Sequence, residues 1–238
     1  MIGHSLVENV SAASQKKLGC SPTQVGPYNH AMLAKVCSAA VNGIEAYPVE
    51  VEVNAGWGDT LIVIVGLPDA AVKESRDRVS TALGNSGFKF PMGRTTINLA
   101  PADVKKEGPS FDLPIAIGML AASEQLVSDQ LENFVVVGEL ALTGAVRPVK
   151  GVLPIALRAR AEGKVGVLVP ADNAPEAAVV AGLQVFPIQN LREAVGFLEG
   201  QFGDQKTREY EEEVDAGATA GEQRRIQVNQ EHQRDRDP

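Results

Sequence analysis

Two different periods of apolar residues mark out the middle of the chain. Residues 47–53 alternate valine with glutamate, which is typical of a strand with one buried face, and residues 68–85 space their apolar side chains as a helix does. Residues 60–65 are expected to pair with residues 47–53 as a hairpin. Further strands are predicted at residues 36–41, 95–99, 134–142 and 165–169, and further helices at residues 112–123, 152–161, 175–181 and 191–197.

This order of elements predicts an α/β domain over residues 32–200, in which early antiparallel strands are followed by β-α units. The flanking segments differ in composition. Residues 1–31 are polar and aperiodic, and residues 201–238 are rich in Glu, Gln, Arg and Asp, so we expect both to be disordered. Met32 begins the patterned sequence and is an alternative translation start to Met1.

The charge balance argues against a stand-alone nucleic-acid binder. The 238 residues carry a formal net charge of −8 at pH 7, whereas binding to phosphates requires an excess of Lys and Arg. A local basic patch is still compatible with this composition. The candidates for contact with DNA phosphate or a neighbouring subunit are Lys73, Arg76, Arg78, Arg94 and Arg147. The alternative is an ordinary solvated helix face.

Neither a membrane anchor nor a disulfide scaffold is predicted. No apolar run reaches the roughly 18 residues of a membrane helix, and the first residues lack a signal-peptide pattern. Cys20 and Cys37 are too few for a disulfide scaffold or a zinc site and fit a reducing compartment. We therefore expect a cytoplasmic protein with no membrane partner.

The segment 106–123, KEGPSFDLPIAIGMLAAS, is the most informative in the chain. Gly108 and Pro109 form a turn before an apolar helix, and Ser110 is placed either to cap that helix or to act as a nucleophile. No histidine lies between residues 32 and 200, which excludes a Ser-His-Asp triad there. Lysine remains as a possible base, and the candidates are Lys105, Lys106 and Lys150. Because Lys105 and Lys106 are expected to be solvated, the N-cap is the favoured role of Ser110.

Metal and nucleotide sites are not predicted. Asp103, Glu107 and Asp112 lack a ligand spacing and are expected to be solvated loop and helix-start carboxylates. The chain has no Gly-x-x-x-x-Gly-Lys-Ser/Thr loop. We therefore expect neither a metal nor a cofactor in this chain.

Four segments resemble the N-terminal domain of ComM/YifB-type proteins, the Mg-chelatase-like AAA+ proteins of bacteria. They are residues 41–56 (VNGIEAYPVEVEVNAG), 64–79 (IVGLPDAAVKESRDRV), 95–123 and 138–151 (GELALTGAVRPVKG). The resemblance implies a ribosomal-protein-S5-domain-2-like fold, shared with the Lon protease catalytic domain. It also implies a place beside an AAA+ ATPase that uses ATP and Mg and assembles with like subunits. In ComM-type relatives it implies branch migration of DNA during natural transformation.

The Lon resemblance extends to single residues. The turn at Ser110 is similar to the Lon turn that carries the nucleophilic serine, and residues 144–163 are similar to the segment that carries the general-base lysine. In that alignment the lysine position is Leu153, which cannot accept a proton. Lys150 lies three residues too early. The expected AAA+ module does not follow residue 200, where the charged tail begins.

Two functional hypotheses follow. The first is a non-catalytic accessory domain of a ComM-like protein, with weak DNA contact at most, or a fragment of one. The second is a residual Ser-Lys hydrolase of the Lon type that uses Ser110 with Lys106 or Lys150.

Overall fold

The computed structural model describes residues 32–201. The strands of this part of the chain are β1 (Met32–Asn42), β2 (Glu45–Ala55), β3 (Leu61–Val65), β4 (Arg94–Ala100), β5 (Phe134–Val136), β6 (Glu139–Leu140), β7 (Val146–Arg147), β8 (Gly166–Pro170) and β9 (Gln184–Ile188). Its α-helices are α1 (Ala70–Asn85), α2 (Asp112–Ala122), α3 (Val152–Ala161), α4 (Ala174–Ala177) and α5 (Leu191–Leu198). The predicted α/β class is confirmed. The expectations for residues 1–31 and for the tail after residue 201 lie outside the described residues.

Seven strands form one mixed sheet in the order β3-β4-β2-β1-β5-β8-β9. β2 is antiparallel to both of its neighbours, whereas all other adjacent pairs in this sheet are parallel. β6 and β7 form a separate antiparallel ribbon. The sheet is therefore parallel-rich, with a single strand running against the rest.

The predicted hairpin between residues 47–53 and 60–65 is wrong. β2 forms its hairpin with β1 instead, across a turn at residues 43–44 in which Gly43 has a φ of 64°. Its other edge pairs with β4 over six residue pairs, so β4 separates β2 from β3. β3 and β4 pair in parallel and are connected through α1. A parallel pair requires a long crossover connection of this kind, and the pairing of strands so far apart in the chain is not visible in short-range patterns.

Helices cover both faces of the sheet. α1, α2 and α5 contribute to one buried apolar cluster, and α3 and α4 contribute to a second. Every residue of α2 is buried. The helix lies so close to β2 that a Cβ added at Gly118 would stand 2.6 Å from Cγ2 of Val53. A helix that is apolar all round is expected at such a central position.

The single strand predicted at residues 134–142 is interrupted at Gly138. The Gly138 amide donates to the Ser110 carbonyl at 3.0 Å, and the Gly138 carbonyl accepts from the Leu113 amide at 3.0 Å. A Cβ at this position would lie 2.9 Å from Cγ1 of Val146. The chain therefore leaves the main sheet at Gly138, because its backbone pairs with the start of α2. The helix predicted at residues 175–181 is likewise reduced to α4.

A buried ion pair connects α1, α2 and β6. Asp112 is fully buried, and both its carboxylate oxygens accept from Arg78, at 2.8 and 3.1 Å. The same carboxylate accepts from the backbone amide of Leu140 at 3.2 Å. The hydrogen bond to Asp112 raises the pKa of the Arg78 guanidinium. These contacts supply the partners that a buried carboxylate requires.

We predict that Arg78→Gln destabilises the domain by about 3 kcal/mol, since it leaves the Asp112 carboxylate buried without its cation. The matched control is Arg76→Gln, two residues away on the same helix, where the arginine side chain is half exposed and pairs with Asp77. That substitution is expected to cost less than about 0.5 kcal/mol. Urea unfolding measures both values, and equal losses in the two variants would contradict a structural role for the Arg78–Asp112 pair.

Candidate functional site

The Gly-Pro-Ser turn is fixed through its backbone from two directions. Gly108 has a φ of 79°, a conformation that favours glycine, and its amide donates to Oδ2 of Asp69 at 3.1 Å. The other oxygen of Asp69 accepts from the Val72 amide at 2.8 Å and caps α1. On the opposite side, the Ser110 carbonyl accepts from Gly138. The position of the turn thus depends on α1 and on the end of β5.

The Ser110 hydroxyl does not cap α2, so that prediction is wrong. Residues Pro109–Phe111 form a 3-10 turn that leads directly into the helix, and Phe111 occupies the cap position. The amide of Leu113, in the first turn of the helix, is satisfied by the Gly138 carbonyl instead. Ser110 is half-buried, and within residues 32–201 its hydroxyl has no hydrogen-bond partner.

Lys106 is buried, which contradicts its predicted solvation. Its side chain is fully inaccessible, and Nζ donates to the carbonyl of Pro101. Burial lowers the pKa of this ammonium, and the charge of Asp103 opposes the shift. The Lys106 backbone also pairs with the segment that precedes α1, because its carbonyl accepts from the Asp69 amide at 3.0 Å. Its amine is therefore committed to the Pro101 carbonyl.

The two other lysines near the turn are surface groups. Lys105 is exposed and forms an ion pair with Glu107. Lys150 is exposed, and the described part of the chain offers it no hydrogen-bond or ion-pair partner. None of the three candidate lysines is hydrogen-bonded to Ser110 within residues 32–201.

Leu153 occupies the position that the Lon resemblance assigns to the base. Its half-buried side chain packs against the second apolar cluster, and its backbone amide donates to Oε1 of Glu176 at 2.9 Å. Gly151 precedes α3 with a φ of 77° and has no side chain with which to cap the helix. Glu176 therefore stabilises the start of α3 from a neighbouring helix.

A polar cleft of about 350 Å³ lies beside the segment that leads into the turn. It is lined by the end of β1, by Tyr47 of β2, and by the loop after β4 with Asp103, Lys105 and Glu107. The lining mixes both signs of charge with apolar groups. Its geometry can accommodate a small polar group, but the nucleophile-base pair of an acyl-transfer site is lacking among the described residues around it.

The five predicted contact residues are distributed over three elements. Lys73 and Arg76 are exposed on α1, and Arg94 is exposed at the start of β4. Arg147 on β7 pairs with Glu139 at 3.3 Å. Arg78 also experiences the Glu139 charge, but its guanidinium is committed to the buried Asp112. Arg78 is thus a structural residue, and the remaining four form the accessible part of the predicted set.

Asp112 is the main residue whose environment was predicted wrongly from the sequence. We expected a solvated carboxylate, whereas Asp112 is fully buried and paired with a residue 34 positions earlier in the chain. Its location between Phe111 and Leu113, at the start of an apolar helix, is the sequence feature that could have indicated burial. Asp69 and Glu176 were also missed as anchors of the turn and of α3.

Two structural features are absent from residues 32–201. This range contains no group of three or more His, Cys, Asp or Glu side chains arranged to hold a metal ion. None of its helices has the length and apolar character needed to cross a membrane.

Comparison with known proteins agrees with the resemblance of the four segments. The family described as subunit ChlI of Mg-chelatase matches residues 49–173. The chain is 48% identical over 169 residues to the competence protein ComM of Haemophilus influenzae and 45% identical over 169 residues to the uncharacterized protein YifB of Escherichia coli. Each match covers 71% of this chain and 33% of the relative, so the chain spans about a third of the length of these curated relatives.

A more distant similarity links the chain to proteases. Lon protease 2 of Bacillus subtilis is 25% identical over 180 residues, which cover 65% of this chain and 32% of that protein. The family match and the much higher identity to ComM and YifB over the same domain decide the assignment. The chain belongs to the Mg-chelatase ChlI-type family, together with the ComM/YifB-type proteins.

Proposed function

We propose that this chain acts as a non-catalytic accessory domain of a ComM-like protein and takes part in DNA processing. The single observation that carries its non-catalytic part is that, within the described residues, no amine is hydrogen-bonded to the Ser110 hydroxyl. A serine nucleophile requires a base within hydrogen-bond reach. Here the closest lysine in sequence is bound to a carbonyl, and the aligned base position holds Leu153.

The S5-domain-2-like fold is part of the same proposal. Its support is the parallel-rich sheet, with a Gly-Pro-Ser turn at the start of a central helix, and the similarity to Lon protease 2. The turn geometry is maintained by backbone contacts of Gly108 and Ser110 rather than by the serine hydroxyl. Because function depends on the residues of the site and not on the fold, this fold is compatible with a non-catalytic role.

The partner in this proposal is an AAA+ ATPase module, together with like subunits. ATP and Mg would be bound by that module and not by residues 32–201, which carry no Gly-x-x-x-x-Gly-Lys-Ser/Thr loop. Any DNA contact would be made by Lys73, Arg76, Arg94 and Arg147. The domain itself is acidic, so this contact supplements binding elsewhere in the assembly.

We predict that an active-site serine probe does not label the protein. The full chain is incubated with a fluorophosphonate and analysed by intact mass, with Ser110→Ala as the matched control. Wild type and control are expected to remain equally unmodified, because no base activates the hydroxyl. Stoichiometric labelling of the wild type that Ser110→Ala abolishes would instead establish the Ser-Lys hydrolase.

DNA binding by the isolated chain is predicted to be weak and salt-sensitive. Replacing both Lys73 and Arg76 with glutamine is expected to weaken binding uniformly across sequences and to reduce the salt slope by about one for each phosphate that is no longer neutralised. The control is Arg158→Gln, since Arg158 is exposed on α3 and pairs with Glu162. Fluorescence anisotropy over a salt series measures both. Tight binding at physiological salt, or equal effects of the two replacements, would contradict this assignment.

The burial of Lys106 predicts that the stability of the folded protein depends on pH. Because burial lowers the pKa of Lys106 in the folded state, the unfolded chain binds more protons between that pKa and 10.5. Stability of the wild type relative to Lys106→Met is therefore expected to rise with pH across this window, as the cost of burying a charged amine disappears. Urea unfolding of both proteins from pH 7 to pH 10.5 measures the difference, and a flat difference would refute the buried-lysine assignment.

A further inference from the structure

The edge strand β3 lacks the protection that sheet edges normally carry. Among the described residues it pairs with β4 alone, and it ends one side of the seven-stranded sheet. Residues 60–68 contain no charged side chain, and β3 itself contains neither lysine nor proline. The opposite edge strand, β9, does carry a proline, Pro187. Exposed edges are commonly blunted by charge or proline because they present unpaired backbone groups to other chains.

The exposed side of β3 is also apolar. Leu61 and Val65 lie on the same face of β3 and are 46% and 43% exposed, and Leu67, just after the strand, is 55% exposed. Leu67 has a φ of 59°, which is uncommon for a leucine and costs free energy unless something compensates. At the beginning of the strand, Trp57 and Met92 add exposures of 75% and 87%. We refer to these five residues as the β3 stripe.

Two loops hold the aromatic end of the stripe in place. The Gly56 amide donates to the Arg94 carbonyl at 2.9 Å, and a Cβ added at Gly93 would meet the Gly56 oxygen at 2.2 Å. The loops that carry Trp57 and Met92 are thus in direct backbone contact. Trp and Met are enriched at protein interfaces, and large exposed apolar patches are uncommon on monomers.

We propose that the β3 edge is a self-association surface, on which a second copy of this chain pairs antiparallel through its own β3. The charge pattern favours this occupant. Both copies are acidic, yet the region from residue 60 to residue 68 is uncharged, so two copies can approach there without like charges facing each other. The proposal specifies the contact with like subunits that the proposed function includes, and it does not depend on whether Ser110 is catalytic.

The backbone of β3 fits a two-fold axis through Val63. The Leu61 amide donates to the Gly93 carbonyl of the neighbouring strand segment. Because backbone groups alternate in direction along a strand, the odd-numbered residues of β3 form hydrogen bonds with β4. The N–H and C=O groups of Ile62 and Ile64 therefore point to the free edge. In an antiparallel pair centred on Val63, Ile62 faces Ile64 of the second copy. These are hydrogen-bonded pairs, and together they supply four backbone hydrogen bonds across the axis.

The side chains are self-complementary in the same arrangement. Leu61 faces Val65 of the second copy and Val63 faces its own counterpart, both as non-hydrogen-bonded pairs, in which side chains approach most closely. Each Leu67 comes opposite the loop that carries Trp57 of the other copy. Along the strand, each exposed side chain of one copy thereby packs beside one of the other copy, as the isologous contact of a two-fold dimer requires.

Sedimentation of the full chain over the micromolar range tests the proposal. We expect a concentration-dependent dimer and, because Trp57 is the chain's one tryptophan, a shift of its emission to shorter wavelength as the dimer forms. Val63→Lys places two like charges opposite each other and is expected to give a monomer with unshifted emission. Val179→Lys, at a residue 68% exposed outside the stripe, is the matched control and should leave the dimer intact. A chain that stays monomeric, or a dimer that Val63→Lys does not weaken, would overturn the proposal.

Cross-linking removes any dependence on the folding of the lysine variant. In a background with Cys20 and Cys37 replaced by alanine, Val63→Cys brings two thiols together at the axis, at a separation that suits a disulfide. A mild thiol oxidant is expected to convert this variant to a covalent dimer, whereas Val179→Cys remains monomeric under the same conditions. Equal cross-linking of the two variants, or none in Val63→Cys, would also reject the β3 interface.

Discussion

The burial of the Asp112 carboxylate is the constraint to which the surrounding structure conforms. A carboxylate withdrawn from water requires a cation and further donors, and here they come from α1 and from the amide of Leu140. The three segments are far apart in sequence, so the carboxylate is satisfied only when all three have assembled. This requirement positions α1 against the start of α2 and keeps the β6-β7 ribbon beside them. The bidentate pair adds a directional contact to the apolar packing of the two helices and so helps to define their relative position.

The same region explains how the serine turn keeps its shape without a contact from the Ser110 hydroxyl. Asp69 holds the Gly108 amide on one side, and Gly138 bonds to the Ser110 carbonyl on the other. These contacts use backbone atoms and the glycine conformations that suit them, so the turn does not depend on what the Ser110 hydroxyl does. The geometry of a protease-like turn is therefore compatible with the accessory role that we propose.

Strongly periodic elements could be predicted from the sequence, whereas long-range pairing could not. The bounds of α3 at residues 152–161 are confirmed, because its apolar spacing and the glycines around it are local signals. The pairing of residues 60–65 was wrong, since β4 enters between two strands that are neighbours in the chain. The break at Gly138 and the burial of Lys106 depend on contacts with distant segments. Neither the spacing nor the composition of the sequence contains that information.

The capping of α3 by Glu176 has a consequence for how this domain can change. The Glu176 carboxylate accepts a hydrogen bond from the Leu153 backbone amide, and this contact does not involve the Leu153 side chain. A replacement at this position therefore alters reactivity while the helix continues to begin at the same residue. Because this contact uses only a backbone amide, the start of the helix tolerates either a hydrocarbon or an amine at residue 153, so the identity of that side chain is not set by the need to cap α3.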